Sequence, residues 1–193
     1  MRIDPNEFLA LDQEVHAVLK GVPLNDVSVV DLRGGGPGRT IDDLRRLLDF
    51  GETGMASGPA RALFVLRSWL GKVFGWDQDA PAEAKVKTSD RVPSQLEARS
   101  TRDPGSLDGP FRLLYQLDDE MLSEVSNATV HAFSCMVLRQ TRDGYRFYWA
   151  VYVAPVSRFT PFYMALIEPF RRFIVYPSIL KRVRSEWLAK MAV

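Results

Sequence analysis

The sequence predicts an α+β domain in which a curled antiparallel sheet wraps a long, kinked C-terminal helix. Three observations carry this. Strand-like segments cluster between Phe111 and Val156, separated by turn-length breaks. Segments with helical spacing precede them, and one long segment follows. The chain has 193 residues, 46% hydrophobic and 25% charged, which suits one domain over 1–193 with a sizeable core.

Residues 5 to 20 read as a helix, with Phe8, Leu11, Val15, Val18 and Leu19 at three- and four-residue spacing. Pro23 stops it. "VSVVDL", Val27 to Leu32, is a β-branched run of strand length. "RGGGPGR" breaks the chain. "TIDDLRRLLDF" then opens a helix at Thr40, with Asp43 three residues on in the place a capping box reserves for Glu. Leu63, Leu66, Trp69 (or Leu70) and Val73 form the stripe of a helix from about Pro59 to Phe74. Residues 77–109 are polar and proline-rich, and read as a long loop or flap, or as one hiding a short helix after Pro93. "FRLLYQL", "EMLSEVS", "ATVHAFSCMVLRQT" and "YRFYWAVYVAPV" read as sequential antiparallel strands, the last two joined by a tight "RDG" turn. Thr160 caps the closing helix, with Pro161 at its first position.

That closing segment, Pro161 to Trp187, is apolar enough to raise the question of a membrane span. Glu168, Arg171 and Arg172 interrupt it, and Lys181 and Arg182 close it, so no run reaches the roughly 20 apolar residues that a span needs. On a helical wheel Phe162, Leu166, Phe170, Phe173, Leu180 and Trp187 fall near one face, expected to pack on the sheet. Pro169 and Pro177 each kink or break the helix. A bent helix fits a curved sheet imperfectly and leaves a gap.

Charge and cysteine usage narrow the function classes. The net charge of +1 offers no field for nucleic acid. A single cysteine, Cys135, allows no internal disulfide and points to a reducing cytoplasm. "MRIDPNEFLALDQEV" carries acids early and does not read as a signal peptide.

Several motifs carry candidate chemistry. "GGGPGRT" sits where a phosphate loop would, but it is one residue short, has Arg39 for the lysine, and is followed by Asp42 and Asp43. A turn capped by Thr40 is the better reading. Two dispersed histidines and one cysteine offer no metal spacing, and no G-x-S-x-G elbow is present, so neither metal nor cofactor is expected. In "SNATVH", Thr129, His131, Phe133, Cys135 and Val137 share one strand face. Both faces of that strand are apolar, so both should be covered. One is expected to meet the closing helix, and the other is open to a second subunit, which would make a homodimer. His131, with Glu124 as the nearest orienting carboxylate, is either a buried structural hydrogen-bonder or a general acid/base. The late aromatic residues supply an apolar pocket with hydroxyl handles. The expected lining is Tyr115, His131, Phe133, Tyr148, Trp149, Tyr152, Phe162, Tyr163, Leu166 and Phe170.

"EVSNATVHAFSC", "YWAVYV" and "FYMALIEPFRRFIVYPSILKRVRSEW" together resemble a bacterial family of unknown function with an S-N-x-T-V-H strand and an I-x-P-F-R-x-x-I-V-Y-P closing segment. The resemblance is strongest over Glu124 to Trp187. It implies the helix-grip fold of the START-like (SRPBCC, polyketide-cyclase-like) superfamily, some of whose relatives are fused to NAD(P)-binding reductases; residues 1–193 show no such domain. It implies a cavity rather than a reaction. The expected function is binding of a small hydrophobic or amphipathic ligand, such as a lipid, between sheet and closing helix. One alternative is a cyclase, dehydratase or isomerase using His131 with Glu124 or a tyrosine. Another is an interaction or membrane-surface protein using the basic end near Lys181, Arg182 and Arg184.

Overall fold

The computed structural model describes residues 3–48, 91–126, 131–156 and 160–191. The helix expected from Pro59 to Phe74, residues 77–90 of the expected flap, Asn127 and Thr129 lie outside the described residues.

Among the described residues six strands form one antiparallel sheet in the order β1-β6-β5-β4-β3-β2. They are β1 (Leu24–Arg33), β2 (Leu107–Asp108), β3 (Phe111–Gln116), β4 (Glu120–Ser126), β5 (His131–Thr141) and β6 (Gly144–Ala154). Strands β3 to β6 are the expected meander. The β5–β6 turn is tight, with Thr141 facing Gly144. Gly144 has φ 148°, and a Cβ there would stand 2.2 Å from the Leu32 carbonyl oxygen. Only glycine lets the end of β1 close on the turn, where the Gly34 N–H donates to the Asp143 carbonyl at 2.9 Å.

Helices cover both faces. On one face α1 (Pro5–Leu9), α2 (Val15–Val18) and α4 (Ser94–Ala98) bury Phe8, Val15, Val18 and Leu96 against Phe133, Cys135, Val137 and Tyr152. The face that the sequence left open to a second subunit is thus covered by the chain's own helices. On the other face α3 (Ile41–Leu48) and the C-terminal helix bury Ile41, Leu44, Leu180, Val183 and Trp187 against Met136, Leu138, Phe147 and Trp149. The result is an α+β fold whose long C-terminal helix packs on an antiparallel sheet, consistent with the helix-grip description. No helix among the described residues is long and apolar enough to cross a membrane.

Local chemistry explains the helix ends. The Thr40 N–H donates to Asp43 Oδ2 at 3.1 Å, which is the side-chain-to-N-cap half of a capping box, with aspartate in place of glutamate. The short helix after Pro93 is α4. The single helix expected over residues 5–20 is instead split in two. The N–H groups of Glu14 and Val15 donate to the Glu120 carboxylate at 3.0 and 2.9 Å, and this distant carboxylate starts α2 afresh.

The C-terminal helix differs from its wheel. It runs as α5 (Thr160–Phe170), a π-helical turn (Arg171–Val175) and α6 (Tyr176–Met191). Tyr176 N–H donates to the carbonyl of Arg171, five residues back. The sheet-facing residues are Met164, Ile167, Arg171, Tyr176, Leu180, Val183 and Trp187. Their spacing is three or four everywhere except across the π turn, where it is five. That extra residue rotates the stripe, leaving Phe170 39% and Phe173 69% exposed rather than packed as the wheel predicts. Pro169 and Pro177 flank the turn. Pro177 lacks an N–H and crowds the carbonyl of Phe173, inside the turn, and widening to π geometry relieves that crowding.

Candidate functional site

The edge strand β1 and helix α6 run side by side and are tied at both ends. At one end Asp26, buried on the helix-facing side of β1, accepts on Oδ2 from Arg171 Nη2 at 2.8 Å, Tyr176 OH at 3.3 Å and Asn25 Nδ2 at 2.7 Å. Arg171 also donates to the Tyr176 hydroxyl. The π turn makes this possible, since the five-residue step puts Arg171 and Tyr176 on one side. Burial pushes the Tyr176 hydroxyl above the usual tyrosine range, so it stays protonated and can donate. At the other end Trp187 Nε1 donates to the Arg33 carbonyl at 3.2 Å.

Between the two ties lies a cavity of about 310 Å³. Its floor is Asp26, Ser28 and Val30 of β1. Its opposite wall is Tyr176, Pro177 and Leu180, and Glu168, Arg172, Lys181 and Arg184 edge it. The groove therefore has an apolar middle and charged ends. Such a shape suits a molecule with an apolar body and polar termini.

The opposite face of the sheet holds two buried polar networks. Glu120 accepts from the Tyr115 hydroxyl as well as from the two α2 N–H groups. Burial raises its pKa to about 7, although the three donors pull the other way. Burial and the Glu120 charge also push the Tyr115 hydroxyl and the Cys135 thiol well up, so both stay neutral. Tyr152 OH lies 3.5 Å from His16 Nδ1. Farther along the same face His131 Nε2 meets Glu124 Oε2 at 2.8 Å, Arg112 donates to Glu124, and the His131 ring lies 4.5 Å from that of Phe133.

The structure distributes the predicted site residues over both faces. His131 and Glu124 are brought together as the sequence suggested, on the face away from the groove. Tyr115, Phe133, Tyr148 and Tyr152 share that face. Tyr148 OH donates to Glu7 Oε1 at 3.1 Å, which ties α1 to the sheet. Trp149 stands on the groove side, beneath the wall, its ring 5.4 Å from Tyr176 and edge-on to it. Phe170 is partly exposed on the π turn's outer side. The side chains of Phe162, Tyr163 and Leu166 lie outside the described residues. Sequence reasoning did not find Asp26, Arg171 or Tyr176. Asp26 sat one residue before the strand as it was read. The alternation Asp26, Ser28, Val30, Leu32 was its signal.

No curated protein and no solved structure matches the chain significantly. A family model does, over residues 18–178, from α2 to the start of α6. That span takes in β1, the meander and the π turn, and so most of the groove. The chain belongs to the DUF2867 family, proteins of unknown function.

Proposed function

We propose that the protein binds a small amphipathic molecule in the groove between β1 and the C-terminal helix. The observation that carries this is the cavity of about 310 Å³ with an apolar middle and charged ends. Its size is at the lower bound of small-molecule sites. The element order and the closing helix support a relation to the START-like (SRPBCC, polyketide-cyclase-like) superfamily, whose fold keeps a ligand between sheet and helix. The lone buried thiol of Cys135 supports a reducing, cytoplasmic setting. Native mass spectrometry of the purified protein should show a co-purified small molecule. Ser28→Met, which extends a side chain from the groove floor, should lower its occupancy or the affinity for anilinonaphthalene sulfonate about tenfold. Unchanged binding in a folded Ser28→Met variant would remove the groove from consideration.

The contact between His131 and Glu124 favours a second reading, proton transfer at the opposite face. The dyad is 2% and 6% exposed, so we read it as structural. His131→Gln should then lose about 1 kcal/mol of stability through an imperfect buried hydrogen bond, with groove binding intact. With a catalytic His131 the variant would instead keep near-normal stability and lose binding or turnover.

A further inference from the structure

The groove's two ends differ in kind. At the Val30 end Lys181 and Arg184 are exposed, and neither has a carboxylate within ion-pairing distance among the described residues. At the Asp26 end the charge is already matched. Two carboxylates, Asp26 and Glu168, stand there with two guanidiniums: Arg171 lies 2.8 Å from Asp26 Oδ2 and 3.7 Å from Glu168, and Arg172 lines the same cavity. Yet Asp26 is 3% exposed, lines the groove, and has no hydrogen-bond partner on Oδ1 among the described residues. A buried acceptor of this kind costs stability until a donor meets it. Because the charge is matched, a neutral donor suffices. A hydroxyl or amide N–H would fit, and an ammonium would add an excess charge.

The separation of the ends fixes a length. The four residue steps from Asp26 to Val30 extend about 13 Å along the strand. The eight steps from Tyr176 to Arg184 rise about 12 Å, which an extended chain of about ten carbons spans. We infer that the ligand is a medium-chain acid carrying a hydroxyl at its far end, its anionic group on Lys181 and Arg184 and its hydroxyl on Asp26. The chain between would lie on Val30, Pro177 and Leu180. This rests on the groove being the binding site.

Calorimetric titration with decanol, decanoate and ω-hydroxydecanoate separates the parts. Decanoate should bind about tenfold more tightly than decanol, and ω-hydroxydecanoate three- to tenfold more tightly again. Lys181→Gln with Arg184→Gln changes two exposed side chains. It should erase the preference for the acids, and their salt dependence, while leaving decanol unchanged. If ω-hydroxydecanoate binds no more tightly than decanol, which carries the same hydroxyl, the anionic end is overturned. If the hydroxyl adds no affinity, the Asp26 end is overturned. In either case the groove still binds an apolar chain and the broader function stands. Failure of all three to bind saturably would overturn the binding function together with this inference.

Discussion

Trp187→Ala is expected to cost about 3–5 kcal/mol of stability, the range for removing a fully buried large aromatic. Trp187 is 0% exposed and holds three things at once. Its ring meets Tyr145 edge-on at 5.4 Å. Its Nε1 donates to the Arg33 carbonyl at 3.2 Å, where β1 ends. It also fills the concave side of the glycine-rich loop so closely that a Cβ on Gly35 would stand 2.6 Å from the indole. The loop has its own supports. Tyr145 OH donates to the Gly36 carbonyl at 2.9 Å and accepts from the Arg39 N–H at 3.0 Å, and Arg39 Nε donates to the Gly35 carbonyl at 2.6 Å. Truncating Trp187 leaves a cavity under that loop, orphans the Arg33 carbonyl, and frees one of the two ties that hold α6 along β1. Urea denaturation should show the midpoint falling with its slope unchanged. Trp187→Phe should fall between, because it keeps most of the area and loses the hydrogen bond. A loss below about 1 kcal/mol for Trp187→Ala would mean that α6 is held by the rest of its stripe alone.

The same residues show what was legible. The meander was readable because β-branched and aromatic residues alternate there between clear turn signals. The cap at Thr40 was readable because a capping box is a local device. The role of "GGGPGR" as a turn was readable from failed phosphate-loop spacing, although its clamp, Trp187, lies 152 residues downstream of Gly35 and leaves no local trace. The closing helix was located correctly, and Leu180 and Trp187 of its expected face are buried on the sheet, but Phe170 and Phe173 are exposed. A wheel assumes a constant 3.6-residue period, and the π turn adds one residue to it. The wheel fails around that turn, where it packs Phe170 and Phe173 and omits Arg171 and Tyr176. The break between α1 and α2 was hidden for a different reason. The apolar spacing from Phe8 to Leu19 favours one helix, and the carboxylate that interrupts it belongs to Glu120, on a strand far along the chain. Tertiary contacts of that separation override local period without altering it.

Glu120 also sets the second large effect, a stability that falls as pH rises. Its folded pKa is raised by burial from the ordinary 4.5 to about 7. A carboxyl raised in this way keeps its proton in the folded state where the unfolded chain has already released it. Between these two values the native state binds more protons, so stability decreases with increasing pH. The contribution is fully present below pH 4.5 and lost once pH passes about 7. The difference of about 2.5 units corresponds to about 3 kcal/mol. The wild-type curve sums every titrating group, so it is not diagnostic alone. Comparison with Glu120→Gln isolates the term. The amide is neutral throughout, and its oxygen can keep the Tyr115 hydroxyl and the Val15 N–H, but its NH2 group then opposes the Glu14 N–H. The variant should therefore be about 1 kcal/mol less stable than wild type at pH 5. By pH 8 the wild type carries a buried charge, and the gap should close or reverse. Chemical denaturation of both proteins at several pH values measures this directly. Parallel curves from pH 5 to 8 would show that the two N–H groups of α2 and the Tyr115 hydroxyl stabilise the carboxylate enough to cancel its burial, and that Glu120 is ionised throughout.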